Sequence, residues 1–198
     1  MGSQVGMIVA CDLNGLIGYD GKIPWENKED MRRFKELTMD STVIVGCKTY
    51  ESLPGKKLPG RIKHVLDDSY SEHKEMADTR WFHNIKDALL TADENIPIWI
   101  IGGAQLYHES LLLNIPDFID LTIMNFIWIT PLADRYEERK EKARQLPEIP
   151  YTYMVESEYQ NTNDSILFHR KYIRRPGGFG ASFIEDIRKT EKEKNYVK

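Results

Sequence analysis

Short apolar runs alternate with segments of helical periodicity along most of this 198-residue chain. Apolar runs rich in β-branched residues indicate strands buried on both faces of a sheet, whereas apolar residues spaced three and four apart indicate helices. The runs predict strands at Val5–Cys11, Thr42–Gly46, Arg61–Leu66, Trp81–Phe82, Pro97–Ile101 and Phe118–Ile129. The helical spacing predicts helices at Lys28–Met39, Lys48–Leu53, Ile85–Ala92 and Ala104–Leu113.

The pattern changes in the last third of the chain. Arg135–Gln145 is highly charged, and we expect it to be helical or mobile. Tyr151–Tyr159 and Ile166–Arg174 alternate apolar with polar residues on either side of a polar segment, which predicts an antiparallel hairpin. We therefore expect one α/β domain over residues 1–175, with a mostly parallel central sheet, flanking helices and an antiparallel C-terminal edge hairpin.

Beyond the hairpin, Pro176, Gly177 and Gly178 predict a linker. It opens an extension over residues 176–198 that is charged and has few apolar positions. Two interpretations of this extension stay open: a disordered or surface-docked segment, or a helix that binds a partner.

Composition narrows the function classes. Hydrophobic residues make up 41% and charged residues 29% of the chain, as in globular proteins, and the net charge of −4 speaks against nucleic-acid binding. No apolar run approaches the roughly 20 residues of a membrane span, and the N-terminus lacks the features of a signal peptide. We expect a cytoplasmic protein without membrane contact, and a monomer.

Two cysteines, Cys11 and Cys47, lie in or beside predicted strands. We expect free thiols in a reducing compartment, with a single disulfide as the alternative. No Cys-x-x-Cys and no histidine pair at ligand spacing occurs, so we expect no metal.

Two predicted strand-to-helix junctions carry candidate chemistry, at Gly46–Thr49 and at Gly102–Gln105. Helix N-termini present free backbone N–H groups that suit phosphates, and two adjacent junctions could hold a pyrophosphate. For either junction on its own, an ordinary tight turn is the favoured explanation. The chain has no Gly-x-Gly-x-x-Gly, so a Rossmann fingerprint is excluded.

Asp30 is a more specific candidate for a ligand-binding residue than either junction. It follows the predicted helix cap Asn27 by three residues, where an exposed acid often complements the helix dipole. However, Met31 and Phe34 mark the predicted buried face, and the helical repeat puts Asp30 close to it. A carboxylate on an apolar wall needs a partner, and a planar ring with adjacent amino and N–H donors would provide one.

An ordered series of short blocks around Asp30 resembles dihydrofolate reductase. The resemblance runs from about Val5 to Arg174 and rests on the order and spacing of these blocks: Ile8-Val9-Ala10, Leu16-Ile17-Gly18, Ile23-Pro24-Trp25, Asp30 with Phe34-Lys35, Val43 to Gly46, Lys48 to Leu53, Leu58-Pro59-Gly60-Arg61, Ile100 to Ala104 with Tyr107, Leu121-Thr122, and Phe168 in the hairpin.

The resemblance implies reduction of 7,8-dihydrofolate to tetrahydrofolate by hydride transfer from NADPH, in support of one-carbon metabolism. It implies that Asp30 binds the pterin ring, that Thr122 backs Asp30, and that Arg61 binds the carboxylate of the glutamate tail. Arg61 could otherwise be a surface arginine after a turn. The remaining substrate contacts it implies are Ile8, Ala10, Met31, Phe34, Lys35, Leu53, Leu58 and Ile101. Antifolates such as methotrexate are expected to bind.

For the cofactor, the resemblance implies contacts at the nicotinamide, at the phosphates and at the adenosine. These positions are Ala10, Ile17, Gly18, Gly46, Cys47, Lys48, Thr49, Leu66, Asp67, Asp68, Ile101, Gly102, Gly103, Ala104, Gln105, Leu106 and Tyr107. The Gly102–Gly103 bond is expected to be cis, and Gly15–Trp25 matches a mobile loop that closes over the nicotinamide. Ile23 and Trp25 lie where water would enter to protonate the ring, and Tyr107 flanks the nicotinamide site. The expected catalytic residues are therefore Asp30, Thr122, Ile23, Trp25 and Tyr107.

The chain departs from the family pattern in two places. Cys47 replaces a common arginine, and Asp67-Asp68 replaces serines that help to bind the adenosine 2′-phosphate, so NADH use is a real possibility. The Gly-Asp-Thr segment that steadies the mobile loop is not evident, and a charged insert over residues 131–150 follows instead.

Two alternative functions remain open at this point. One is a reductase of the same fold that acts on another pterin or a pyrimidine-like ring. The other is a non-catalytic structural protein that reuses the fold.

Overall fold

A computed structural model describes residues 3–69, 76–129, 136–160 and 166–176. The strands are β1 (Val5–Cys11), β2 (Leu16–Tyr19), β3 (Thr42–Gly46), β4 (Ile62–Leu66), β5 (Thr79–Phe82), β6 (Ile98–Ile100), β7 (Phe118–Met124), β8 (Ala143–Gln145), β9 (Tyr153–Gln160) and β10 (Ile166–Arg174). The helices are α1 (Lys28–Thr38), α2 (Cys47–Ser52), α3 (Ile85–Leu90), α4 (Ala104–Leu112) and α5 (Tyr136–Lys142), with a 3-10 turn at Pro54–Lys56.

The main sheet has eight strands in the order β5-β4-β3-β6-β1-β7-β10-β9. The pairs from β5 to β7 are parallel, and β10 pairs antiparallel with both β7 and β9. The predicted fold class is therefore confirmed, including the antiparallel hairpin at the C-terminal edge.

Two core clusters cover the two faces of the sheet. One contains alternate residues of β1, β6 and β7 with apolar residues of α3 and α4, including Leu89 and Leu111. The other contains the intervening strand residues with Tyr50 of α2, and Phe34 and Leu37 of α1 pack against it. Burial on both faces explains why the central strands read as continuous apolar runs.

Three predicted elements differ in the structure. The long strand predicted to Ile129 ends at Met124, after which the chain turns through Asn125 and Phe126. The predicted loop Gly15–Trp25 contains a strand, β2, which pairs antiparallel with β8 in a separate two-stranded sheet. The segment Arg135–Gln145 forms α5 and β8 over its described residues.

The sequence signals missed β2 and β8 because both are short. A strand of three or four residues shows too little alternation to be distinguished from a loop. The linker after Pro176 and the extension to residue 198 lie outside the described residues, as do residues 131–135 at the start of the predicted insert. Within the described ranges, no helix is long and apolar enough to cross a membrane.

Candidate active site

Asp30 sits in the first turn of α1, whose start is fixed by a side-chain cap. The Asn27 side-chain oxygen accepts from the backbone N–H groups of Glu29 and Asp30, each at 3.0 Å. Burial raises the pKa of Asp30, while a hydrogen bond from the Thr122 hydroxyl and the nearby charge of Arg33 act in the opposite direction. Asp30 is therefore a partly desolvated carboxylate with a defined donor, not an exposed helix decoration.

Three further residues, which sequence reasoning missed, surround this carboxylate. Arg33, one turn along α1, forms a two-pronged ion pair with Asp120 of β7. His169 of β10 lies opposite Thr122, and its Nδ1 is 3.0 Å from the Thr122 hydroxyl oxygen. Two sequence signals could have identified them. Asp120 is an acid two positions before Thr122 in an apolar strand, and His169 is a histidine at an inward position of the hairpin.

The expected substrate positions on α1 separate by exposure. Phe34 is half-buried against the core, as predicted. Met31 is 58% exposed, so the prediction that it belongs to the buried face is wrong. An exposed apolar side chain next to Asp30 suits the wall of an open cleft better than a core position. Lys35 is exposed.

Arg61 is held in a fixed position immediately before β4. Its guanidinium donates from Nη1 to the Thr38 hydroxyl at 3.1 Å and from Nε to the Pro59 carbonyl at 3.2 Å, and it lies 5.8 Å from the Phe34 ring centre. Arg61 is only 6% exposed, so it is not a free surface arginine. Burial lowers its pKa.

The turn before Arg61 depends on glycine. Gly60 has a φ of +75°, and a Cβ there would lie 2.6 Å from the Met39 sulfur. Its carbonyl accepts from the N–H of Asp40 at 2.9 Å, which ties the turn to the end of α1. The Leu-Pro-Gly-Arg context thus positions Arg61 against α1.

The apolar positions implied for the substrate lie on the side of the sheet that faces α1. Ile8, Leu58 and Ile101 are buried in that core cluster, and Leu53 packs against it. Ala10 of β1 is half-buried and is the Cα partner of Thr122 across the β1–β7 pair.

The two strand-to-helix junctions adjoin each other, because β3 and β6 are parallel neighbours. The N–H of Gly46 donates to the Gly102 carbonyl at 2.8 Å. A Cβ on Gly103 would lie 2.8 Å from the Thr49 hydroxyl, so the absence of a side chain there leaves the cradle between the junctions open. The expected cis bond between Gly102 and Gly103 is confirmed.

The residues of α4 after this junction face different ways. Ala104 is half-buried and Gln105 is exposed at the helix start. Leu106 is 4% exposed and packs within the core cluster, so its role as a cofactor contact stays a prediction. Tyr107 is buried, and its hydroxyl donates to the Ile8 carbonyl at 2.8 Å. Burial and the charge of Asp30 raise the pKa of Tyr107.

Two acidic residues, Asp67 and Asp68, lie at the positions expected to contact the adenosine 2′-phosphate. Asp67 accepts from the backbone N–H and the hydroxyl of Ser69, at 3.0 and 2.6 Å. Burial and then the charge of Asp67 raise the pKa of the Cys47 thiol to about 11, and the thiol donates a hydrogen bond to Asp67. Lys48 and Asp68 are exposed and Leu66 is half-buried.

The segment expected to close over the nicotinamide is tied to the insert. Ile17 and Gly18 lie in β2, and Gly18 is the register partner of Arg144 in β8. Ile23 is 58% exposed, and Trp25 packs edge-on against Phe126 with ring centres 5.4 Å apart.

The dihydrofolate reductase family model matches residues 4–129 of the chain. The chain is 38% identical over 111 residues to the dihydrofolate reductase of Mycobacterium leprae, a match that covers 55% of this chain and 66% of that enzyme. It is also 38% identical over 106 residues to the bifunctional dihydrofolate reductase-thymidylate synthase of Paramecium tetraurelia, covering 53% of this chain and 22% of that enzyme. The matches thus span less than two thirds of the length of these relatives.

A solved structure of dihydrofolate reductase from Enterococcus faecalis, in complex with NADP(H) and RAB-propyl, is also similar. The TM-score is 0.72 at 23% sequence identity, with 87% of this chain and 97% of that chain covered. At this identity the likeness supports the fold.

Proposed function

The chain belongs to the dihydrofolate reductase family, and we propose that it reduces 7,8-dihydrofolate to tetrahydrofolate with a hydride from NADPH. The observation that carries the proposal is the desolvated Asp30 carboxylate, which receives a hydrogen bond from Thr122 on the face of the sheet where Arg61 is fixed. One acid for the ring and one arginine for the tail are what a folate with a glutamate tail requires.

In this proposal Asp30 orients the pterin by accepting from its amino group and the adjacent ring N–H. The carboxylate favours the ring form that carries an added proton, because it places negative charge in a poorly solvated site. The family resemblance assigns no side chain to the ring nitrogen that must gain that proton, so water entering near Ile23 and Trp25 is the proposed donor. Asp30 therefore works as a clamp and an electrostatic stabiliser.

The adjoining junctions suit the phosphates of a dinucleotide. The open cradle beside Gly103 and the free N–H groups at the starts of α2 and α4 would hold the pyrophosphate, with the Thr49 hydroxyl beside them. Ala10, Ile17 and Ile101 would flank the nicotinamide, which supplies the hydride when bound. Tyr107 fixes the β1 backbone at this point through its bond to the Ile8 carbonyl.

The residues at the proposed adenosine end of the cofactor site support NADH as a second cofactor. Asp67 and Asp68 would repel a 2′-phosphate, whereas an acid can accept from a free ribose 2′-hydroxyl. Lys48 supplies one compensating positive charge. The ratio of kcat/KM for NADPH and NADH tests this point, and a preference for NADPH of about a hundredfold or more would contradict it.

We propose further that residues 1–175 form the catalytic domain, that residues 176–198 are an extension outside it, and that the chain acts as a monomer. Light scattering coupled to size-exclusion chromatography measures the oligomeric state, and a mass of two or more chains would contradict the monomer. Cys11 and Cys47 are both free thiols, which supports a reducing compartment such as the cytoplasm.

The direct test is the loss of absorbance of NADPH or NADH in the presence of dihydrofolate. Turnover that requires both reactants supports the proposal, and its absence with either cofactor overturns it. Methotrexate binding, measured by calorimetry, distinguishes a folate site from a site for another pterin or pyrimidine-like ring, because it uses both Asp30 and Arg61. A structural protein that reuses the fold would fail both assays.

A further inference from the structure

His169 occupies the centre of a polar cluster on the face of the sheet that α1 covers. It is the register partner of Thr122 on one side and of Tyr159 on the other, and it is 3% exposed. Its ring centre lies 4.9 Å from that of Tyr159, at a tilt of 34°. The packing leaves its Nδ1 directed at the Thr122 hydroxyl, 3.0 Å away.

The Thr122 hydroxyl has one hydrogen and lies between two acceptors, the Asp30 carboxylate and Nδ1 of His169. An ionised carboxylate is the stronger acceptor, so we assign the hydrogen of Thr122 to Asp30. In this assignment the Thr122 oxygen accepts from His169, and Nδ1 carries the proton. The result is a directed chain in which His169 donates to Thr122 and Thr122 donates to Asp30.

Burial, assisted by the charge of Arg33, disfavours the protonated form of His169. Burial, followed by the charge of Arg33, lowers the pKa of His169, while Asp120 and Glu29 act in the opposite direction. The groups that face Asp30 are Thr122 and Asp120 from β7, Arg33 from its own helix and Tyr107 from α4. A neutral imidazole with a fixed tautomer is a directional donor, which a purely space-filling residue would not be.

We propose that His169 is a positioning residue that aligns the Thr122 hydroxyl with Asp30 and favours the ionised form of that carboxylate. The catalytic significance rests on the proposed function, because Asp30 then binds the pterin ring. The hydrogen-bond chain itself is a property of the protein without any ligand, so it can be tested separately.

The first test measures the Asp30 carboxyl directly in the ligand-free protein. Aspartate labelled with ¹³C at the side-chain carboxyl gives a resonance for Asp30 that is identified by its loss in Asp30→Asn, and its pH titration gives the pKa. In His169→Phe, which keeps a ring against Tyr159 but has no donor, the pKa of Asp30 should rise by about half a unit or more. In His169→Asn, whose amide can donate from the position of Nδ1, most of this rise should be reversed.

His64→Phe is the matched control. His64 is also buried and neutralised by burial, its Nδ1 lies 2.8 Å from the Ala88 carbonyl and its ring packs on Phe82, but it lies on the opposite face of the sheet. It should leave the pKa of Asp30 unchanged. An unchanged pKa of Asp30 in His169→Phe, an equal rise in His64→Phe, or no recovery in His169→Asn would overturn the proposal.

A second measurement needs no substitution at the site. The ¹⁵N shifts of the His169 ring report its tautomer in the wild-type protein, and the proposal requires the proton on Nδ1. A proton on Nε2 would overturn it. If the titration and the tautomer agree with the proposal but no variant reduces dihydrofolate, the hydrogen-bond chain stands and the proposed function fails. If dihydrofolate is reduced, the acid limb of the kcat/KM pH profile should shift to higher pH in His169→Phe.

Discussion

At the scale of single residues, Asp30 and Arg61 divide the proposed recognition of the substrate between them. Asp30 was singled out from the helical pattern, because an acid beside an apolar helical face needs a partner. The role of Arg61 was implied by the family resemblance of its Leu-Pro-Gly-Arg context. Their partners could not be found this way. Asp120 of β7 lies near Asp30, and His169 of β10 contacts Thr122, only because these strands and α1 pack together, which no local pattern reports. Arg33 follows Asp30 by three residues on α1, but its ion pair with Asp120 also depends on that packing.

Arg61→Gln tests the role of the arginine. We expect the KM for dihydrofolate to rise by about 10- to 100-fold, the value of a lost charge-assisted hydrogen bond, with kcat little changed. A pterin without the glutamate tail should show no such loss. Arg32→Gln removes an exposed arginine of α1 whose partner is Glu36, and should behave as the wild type. Equal losses for substrates with and without the tail would contradict the assignment.

At the scale of elements, the strands and helices of the parallel sheet could be predicted from the sequence to within a few residues. The central strands are continuous apolar runs, and α1 and α3 each begin after an asparagine cap, Asn27 and Asn84. The β2–β8 pair could not be predicted, because each partner is short and about 125 residues separate them in the chain. The insert therefore has a role that composition alone concealed: it holds the segment expected to cover the nicotinamide.

Leu146→Pro tests this role of the insert. The N–H of Leu146 donates to the Gly15 carbonyl at 2.7 Å, and proline lacks that donor. Leu146→Ala is the matched control, because it also loses the apolar side chain but keeps the N–H. We expect amide hydrogen exchange in residues 15–20 to be about fivefold faster in the proline variant than in the alanine variant, which corresponds to one hydrogen bond of about 1 kcal/mol. Equal exchange rates in the two variants would show that the insert does not steady β2.

At the scale of the whole molecule, Asp30 should lower stability where it is ionised, because burial raises its pKa. Between the unfolded pKa of about 3.9 and the higher folded pKa, the folded chain binds more protons at this group than the unfolded chain does. Its contribution to stability therefore falls as pH rises through that window. The Tm of Asp30→Asn relative to the wild type should increase from pH 4 to pH 8, measured by calorimetry. A difference that stays constant or decreases would contradict the assigned burial of the carboxylate.

The higher stability expected for Asp30→Asn separates the role of Asp30 in function from a role in folding. A residue that costs stability and is still needed for turnover is kept for its chemistry. Asp67 and Asp68, at the proposed adenosine end of the cofactor site, would likewise act in function, by setting the choice between NADPH and NADH.

The rate of hydride transfer in a single turnover tests the central claim most directly. Protein in excess over dihydrofolate is mixed with NADPH at pH 7, and the loss of cofactor absorbance is followed in the wild type, in Asp30→Asn and in Glu36→Gln, an exposed acid on the same helix. We predict a rate at least about a hundredfold lower in Asp30→Asn, the scale of removing one electrostatic stabiliser, with cofactor binding and the Glu36→Gln rate unchanged. Hydride transfer at a near wild-type rate in Asp30→Asn would contradict the account.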